Sequence, residues 1–193
     1  MRILIAVPTF ETIAPEVFKA IYDLKSEHEL AFEFVKGYDC AEARNRIAEL
    51  TLAGEYDYVL MVDSDTVIPP DTLDLMLDPP VDICIGCCPR KNTTQGKTAL
   101  VKVDERVFDS AWYYKDLPEG RFEIKAGGFA CALVKTDVFR RVSQPWFRYA
   151  IFDNGGTLSE DYYFCNNARF EHIQIWADGR VRCGHLARYY QYE

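Results

Sequence analysis

Tyr58-Val59-Leu60-Met61-Val62-Asp63-Ser64-Asp65 is the stretch on which the reading of the fold turns. Five apolar residues in a row, with no polar alternation, read as a strand buried on both faces of a parallel sheet. The acids begin where the apolar run stops. In open α/β sheets ligands bind beyond the carboxyl ends of the strands, so Asp63 and Asp65 stand where a site is expected. If the backbone stays extended, side chains two apart point the same way and both carboxylates face one ligand. Hard oxygen donors of this kind suit Mn²⁺ or Mg²⁺, with substrate phosphates completing the shell. An acidic turn ahead of Pro69-Pro70 would have the same sequence, and Asp-x-Asp alone does not separate the two.

Outward from this strand the chain alternates. Residues 2–7 are a continuous apolar run; Pro15 suits a first helical turn, with Val17, Ala20, Ile21 and Leu24 at helical spacing behind it. Residues 31–35 predict a second strand, and Ala43, Ile47 and Leu50 a second helix. Downstream, Pro70 opens a short helix with Leu73, Met76 and Leu77 inward, Pro79-Pro80 ends it, and 81–86 form a fourth strand. Strand, helix, strand, helix, strand is the pattern of a nucleotide-binding α/β half. Beyond it, 98–103 and 121–125 read as strands around an aromatic insert with Trp112, Tyr113 and Tyr114. Residues 129–134 read as a strand, 137–142 as a short helix, 152–158 as a glycine-bearing loop, and 160–171 as a helix. Two short strands, 173–176 and 180–183, follow.

Composition narrows the function. The chain has 193 residues, 49% hydrophobic and 27% charged, which is one ordinary globular domain. A formal charge of −8 without a basic patch argues against a nucleic-acid partner, though a cation can still neutralise a nucleotide's phosphates. The first residues read as a strand rather than a signal peptide, and no apolar run reaches membrane-spanning length, so a cytoplasmic protein is expected. Seven cysteines without framework spacing fit free thiols. Cys84 and Cys87 match C-x-x-C, but the run around them is strand-like and no second pair completes a zinc site.

Three further segments carry candidate chemistry. Asp39-Cys40-Ala41-Glu42-Ala43-Arg44-Asn45-Arg46 opens the second helix at a strand's carboxyl edge, where a guanidinium can meet a diphosphate or base. Arg46 has Glu42 one turn away as a partner; Arg44 and Asn45 have none so obvious. Ser159-Glu160-Asp161 opens the late helix. Serine is a good N-cap and acids suit a first turn, but two carboxylates after a glycine loop also suit a general base. Of the histidines, His28 and His172 lie in polar surroundings, whereas His185 follows the last strand and could complete a carboxylate-bound Mn²⁺ site.

Taken in order, these segments resemble the GT-A nucleotide-sugar glycosyltransferases, above all small single-domain members of the inverting family 2, including phage-type ones. The likeness rests on Val7-Pro8-Thr9, Ala43-Arg44-Asn45-Arg46 and Val62-Asp63-Ser64-Asp65 with Pro69. It continues through Gly86-Cys87-Cys88-Pro89-Arg90-Lys91, Gly127-Gly128-Phe129, Ser159-Glu160-Asp161-Tyr162 and Gly184-His185. The resemblance implies an α/β, Rossmann-like mixed sheet, mostly parallel, with helices on both faces. It implies a single domain, 1–193, with a nucleotide-binding half (1–97) and an acceptor-binding half (98–193). It further implies Asp65 as metal ligand with Asp63 at metal or ribose, and His185 as third ligand. Asp161 becomes the base and Glu160 its neighbour that orients groups. Pro8, Thr9 and Asp39 would line the nucleoside pocket, Arg44 would approach base or phosphate with Asn45 beside it, and Gly128 would let the acceptor come close. The donor would be a UDP-sugar, or else a GDP-sugar, and the acceptor a carbohydrate or other hydroxyl. Longer relatives carry C-terminal helices and a Gln-x-x-Arg-Trp motif; neither is evident before Tyr189-Tyr190-Gln191-Tyr192-Glu193, so polymerisation is not expected.

Two other readings compete. A nucleotidyltransferase would want glycine and a basic residue after the first strand, where Pro8-Thr9-Phe10-Glu11-Thr12 has neither. A carbohydrate-binding module could use Trp112, Tyr113, Tyr114 and Trp146 for stacking, but has no need of Asp63, Asp65 and Asp161 together.

Overall fold

A computed structural model describes the whole chain except residues 11, 91–97, 104–115, 152, 154 and 187–193. The first elements are β1 (Arg2–Thr9), α1 (Pro15–Tyr22), β2 (Glu29–Lys36), α2 (Cys40–Ala53), β3 (Tyr58–Val62), β4 (Thr66–Val67), α3 (Thr72–Leu77) and β5 (Ile83–Cys87). There follow β6 (Leu100–Val101), β7 (Arg121–Ile124), β8 (Ala126–Gly127), β9 (Cys131–Lys135) and α4 (Thr136–Arg141). Last come β10 (Ala150–Ile151), β11 (Thr157–Leu158), α5 (Glu160–Phe170), β12 (Ile175–Arg182) and β13 (Gly184–His185). Seven strands form one sheet in the order β2-β1-β3-β9-β5-β12-β7. Five of them, β2, β1, β3, β5 and β12, run the same way, while β9 and β7 run against them.

Strand alternation sorts the side chains into two cores. Leu4, Ala6, Val59 and Met61 face Ile47 of α2, Phe139 of α4 and Phe164 of α5. Ile3, Ile5, Val7, Leu60 and Val62 face Val17 and Ile21 of α1 and Leu73 and Met76 of α3. Helices therefore cover both faces of a mixed, mainly parallel sheet. Local chemistry starts them: Pro15 opens α1, and the Asp39 carboxylate accepts from the Glu42 N–H at 2.8 Å to cap α2.

The two short strands expected at 173–176 and 180–183 are one strand, β12, with a register break between Asp178 and Arg182. Gly179-Arg180 has the look of a turn, but the strand takes it up as a bulge in which Asp178 accepts from the Arg180 N–H at 3.0 Å and its Nε at 2.9 Å. Glycine is required there, since a Cβ would lie 1.9 Å from the Pro118 carbonyl. The C-x-x-C pair is also resolved. Three-residue spacing in a strand sends Cys84 and Cys87 to opposite cores, so they cannot chelate one ion. All seven cysteines are free thiols, and only Cys40 is exposed.

Candidate functional site

The acids after β3 do not share a direction. The extended backbone stops at Val62, and the Thr66 N–H donates to the Asp63 carbonyl at 3.0 Å, closing a turn over 63–66. The alternation that would have aimed both carboxylates at one ligand is lost within this turn. Asp63 points to α2, where its Oδ1 accepts from Arg44 Nη2 at 2.9 Å. Asp65 points to the segment after β12.

Arg44 explains the first direction. It sits on the inner face of α2, only 2% exposed, and its other terminal nitrogen, Nη1, donates to Glu160 at the start of α5. The guanidinium carbon stands 5.9 Å from the centre of the Phe129 ring, and Nε is buried with no partner among the described residues. Burial opposes its charge, but Asp63 and Glu160 outweigh that and hold it firmly protonated. The same burial pushes both carboxyls above their usual range, with Arg44 pulling each partly back. Arg44 thus lies beneath the site, joining β3 to α5, rather than reaching out to a base or phosphate as expected. Asn45 is likewise engaged: its side chain donates to the Phe147 carbonyl at 2.8 Å and accepts from the Phe147 N–H at 3.0 Å. It clamps backbone rather than substrate. The signal for both was burial, and the helix pattern could not supply it because their neighbours are 102 to 116 residues away.

The second direction is set by a small ladder. β4 pairs with β13, placing Thr66 opposite His185, and the Leu186 N–H donates to the Asp65 carbonyl at 2.9 Å. His185 Nε2 is 3.5 Å from Asp65 Oδ1, and Nδ1 is 2.7 Å from the Pro89 carbonyl. A carbonyl only accepts, so Nδ1 carries a proton. The Asp65 carboxylate, with Cys88 beside it, raises the imidazole to about 10. Among the described residues no three acidic, histidine or cysteine side chains are gathered closely enough to hold a metal. Of the expected trio, Asp65 and His185 meet; Asp63 is taken by Arg44.

A cleft of about 220 Å³ opens at the same sheet edge, lined by Pro8, Thr9, Asp39, Cys40 and Ser64. Three residues expected around a nucleoside share it with the middle residue of the acidic turn. Phe10 and Tyr38 stand at its mouth, 68% and 90% exposed. Thr9 spends its hydroxyl on the Thr12 carbonyl at 3.2 Å, so it shapes the wall rather than offering a donor.

Asp161 completes the edge. Ser159 occupies the N-cap position of α5, yet its hydroxyl makes no cap and donates instead to Asp161 Oδ1, which also accepts from the Tyr162 N–H at 2.8 Å. The other oxygen, Oδ2, faces Gly128, whose added Cβ would lie 3.4 Å from it and 3.0 Å from the Ala99 Cβ. One residue went unread in the sequence. Tyr149, half-exposed in a stretch without periodicity, hydrogen-bonds Glu160. Trp146 is no stacking platform: it is buried on Phe139, its indole N–H shared between the Phe139 and Val142 carbonyls at 2.9 and 3.0 Å. Trp112, Tyr113, Tyr114 and Lys91 lie outside the described residues.

No protein-family model matches the sequence, and no curated protein does. Solved structures do. A197 from STIV superposes with a TM-score of 0.66 at 17% identity, covering 97% of this chain and 87% of that one. Residues 1–349 of S. aureus TarS in complex with UDP-GlcNAc give 0.59 at 13% identity, over 99% of this chain and 60% of those residues. This is a GT-A fold. The GT-A sheet is also similar to that of the UTP-bound UGPase from Acinetobacter baumannii, with a TM-score of 0.55 at 6% identity over 95% of this chain and 88% of that one. At these identities the likeness speaks for the fold, and what the GT-A edge does must be argued from its residues. Among the described residues no helix is long and apolar enough to cross a membrane.

Proposed function

We propose that this protein is a glycosyltransferase that moves a sugar from a nucleoside diphosphate sugar to an acceptor hydroxyl, with inversion at the anomeric carbon. The observation that carries the reading is Asp161. One of its oxygens is pinned by Ser159 and the Tyr162 N–H, and the other faces Gly128, which has no Cβ. A pinned carboxylate with an oxygen turned to an open backbone is placed to accept a proton from an incoming hydroxyl. Loss of that proton lets the hydroxyl oxygen bond to the anomeric carbon as the bond to the diphosphate breaks on the opposite side. Glu160, tied to Arg44 and Tyr149, fixes the first turn of α5 beneath Asp161.

The nucleoside belongs in the Pro8–Ser64 cleft, where the Asp39 carboxylate can accept from the N–H of a uracil or guanine; UDP-sugars are favoured and GDP-sugars come second. The donor set at Asp65 and His185 fits Mn²⁺ or Mg²⁺. It offers a hard oxygen and an imidazole whose Nδ1 is fixed by the Pro89 carbonyl, leaving Nε2 to ligate once deprotonated. A cation bound there would offset charge on the departing diphosphate. In support, TarS, which shares the fold, was solved with UDP-GlcNAc.

The UGPase likeness keeps a nucleotidyltransferase in view, although residues 8–12 carry no glycine and no lysine or arginine. Calorimetry with UDP and GDP, with and without Mn²⁺, tests the proposal: metal-dependent binding of one is expected, and binding of neither sinks it. Asp161→Asn should keep that binding and lose turnover by about 10²- to 10⁴-fold. Release of pyrophosphate instead of a nucleoside diphosphate would move the reading to nucleotidyl transfer.

A further inference from the structure

Away from the site, the outer edge of the sheet is bare. β2 pairs only with β1, so every second N–H and C=O along it points outward, and among the described residues no strand receives them. Sheets usually blunt such an edge with proline, a bulge or charged side chains, lysine above all; here the mid-strand charge is Glu33, on the face opposite Phe32. β2 reads Glu-Leu-Ala-Phe-Glu-Phe-Val-Lys, without proline, in unbroken register with β1 over all eight residues, and its lysine comes last. Leu30, Phe32 and Phe34 lie on the face that carries Ile3, Ile5 and Val7, and they remain 38%, 36% and 43% exposed. The Phe32 and Phe34 rings meet edge to face at 4.6 Å. α1, which covers that face further in, leaves Phe18 and Tyr22 exposed as well. Apolar rows of this kind beside open backbone groups mark a contact surface.

We propose that β2 pairs antiparallel with β2 of a second copy of this chain, about a two-fold axis through Phe32, so that the two sheets become continuous. The strand's own pattern selects the occupant and the register. Two-fold symmetry keeps each sheet face on its own side, so a residue stands opposite only residues of its own face. With the axis at Phe32, Phe32 meets its own copy and Leu30 meets Phe34 twice, while Ala31 meets Glu33 on the opposite face. Lys36 then comes level with the residue before the second copy's β2, His28, between its Glu27 and its Glu29, the latter already paired with Arg2 at 3.2 Å, so the basic end of one strand meets the acidic end of the other. An axis one residue on would set Glu33 against Glu33, and like charges directly opposed destabilise a ladder. An axis one residue back would leave Phe34 opposite His28 and break up the aromatic row. The antiparallel arrangement sends the two carboxyl edges in opposite directions, so both clefts stay open.

Light scattering with size exclusion at about 100 μM chain should give twice the 22.2 kDa of one chain, and a monomer at that concentration overturns the proposal. Phe32→Glu, which places two carboxylates on the axis, should return the monomer with an unchanged circular dichroism spectrum; a dimer that persists in the folded variant overturns it. A cross-link guards against misfolding of that variant. In a Cys40→Ser background, which removes the exposed thiol, Phe32→Cys treated with oxidised glutathione should form an intermolecular disulfide, two thiols being oxidised as glutathione is reduced. Only a residue on the axis meets its own copy at the 4.4–6.8 Å Cα spacing of roughly ideal disulfides. Linkage through Glu33→Cys in place of Phe32→Cys overturns the register.

Discussion

Asp63 and Asp65 are two residues apart and live in different physical worlds. Asp63 belongs to a cross-linked part of the fold: Arg44 joins it to Glu160 across the sheet's inner face, and Phe129 roofs the guanidinium. Asp65 belongs to a seam closed by the two-residue β4–β13 ladder, where the His185 imidazole faces it. The first region is finished without a ligand. The second sets a carboxylate against a histidine proton, and that is where an added cation has work to do. A single acidic turn thus divides into a fastening and a receptor.

The comparison breaks most visibly at Arg44. Arg44→Met strands the buried Glu160 and the part-buried Asp63 without their cation and should cost about 3–5 kcal/mol of stability at pH 7, read by urea denaturation. Acid should return part of it. Asp63 and Glu160 are already raised in the folded protein, so it holds protons more tightly than the unfolded chain does. Stability therefore rises as pH falls through the folded values, and the gain is complete below the unfolded value of roughly 4. The variant, lacking the cation, should gain more than the wild type between pH 7 and 5; equal gains would show that Arg44 does not compensate these acids.

On the receptor side the effect moves from stability to binding. Asp65→Ala and His185→Ala should each weaken Mn²⁺-dependent UDP binding by at least roughly 10–100-fold, since disturbing groups that merely orient a ligand has that effect. Their melting temperatures should stay close to wild type, and a large drop would place Asp65 in the fastening instead. Smaller still is Asn45→Ala, which leaves the Phe147 N–H and carbonyl without their side-chain partner and should cost about 1–3 kcal/mol with binding intact. The mildest probe is chemical. Ellman's reagent should titrate one thiol, Cys40, in the native protein, because Cys84, Cys87 and Cys165 are buried and pushed up to about 12. Rapid reaction of a second would show that an interior opens.

Much of this was legible in the chain. The apolar runs at 2–7 and 58–62 and the helical spacing behind Pro15 are local signals; the carboxyl-edge rule put the Asp39 segment and the acidic turn on one rim, and the GT-A resemblance added Pro8 and Thr9. What stayed hidden was long-range. The turn at 63–66, the burial of Arg44 and the clamp of Asn45 depend on partners that sequence spacing does not announce. The split expected in β12 failed for a related reason: Gly179-Arg180 is taken up as a bulge, with Asp178 bonded to Arg180 and the Pro118 carbonyl close against Gly179, contacts that a turn signal read locally cannot weigh.

The place of β9 has a consequence in time. β3 and β5 are made early, yet neither touches the other, because Cys131–Lys135 lies between them. A ribosome that has released only the first 97 residues has delivered two central strands with their joining member still unmade. The middle of the molecule can close only after residue 135 emerges. Such non-local pairing slows folding, and it leaves the flanks of β3 and β5 open to chaperones or to neighbouring nascent chains in the interval.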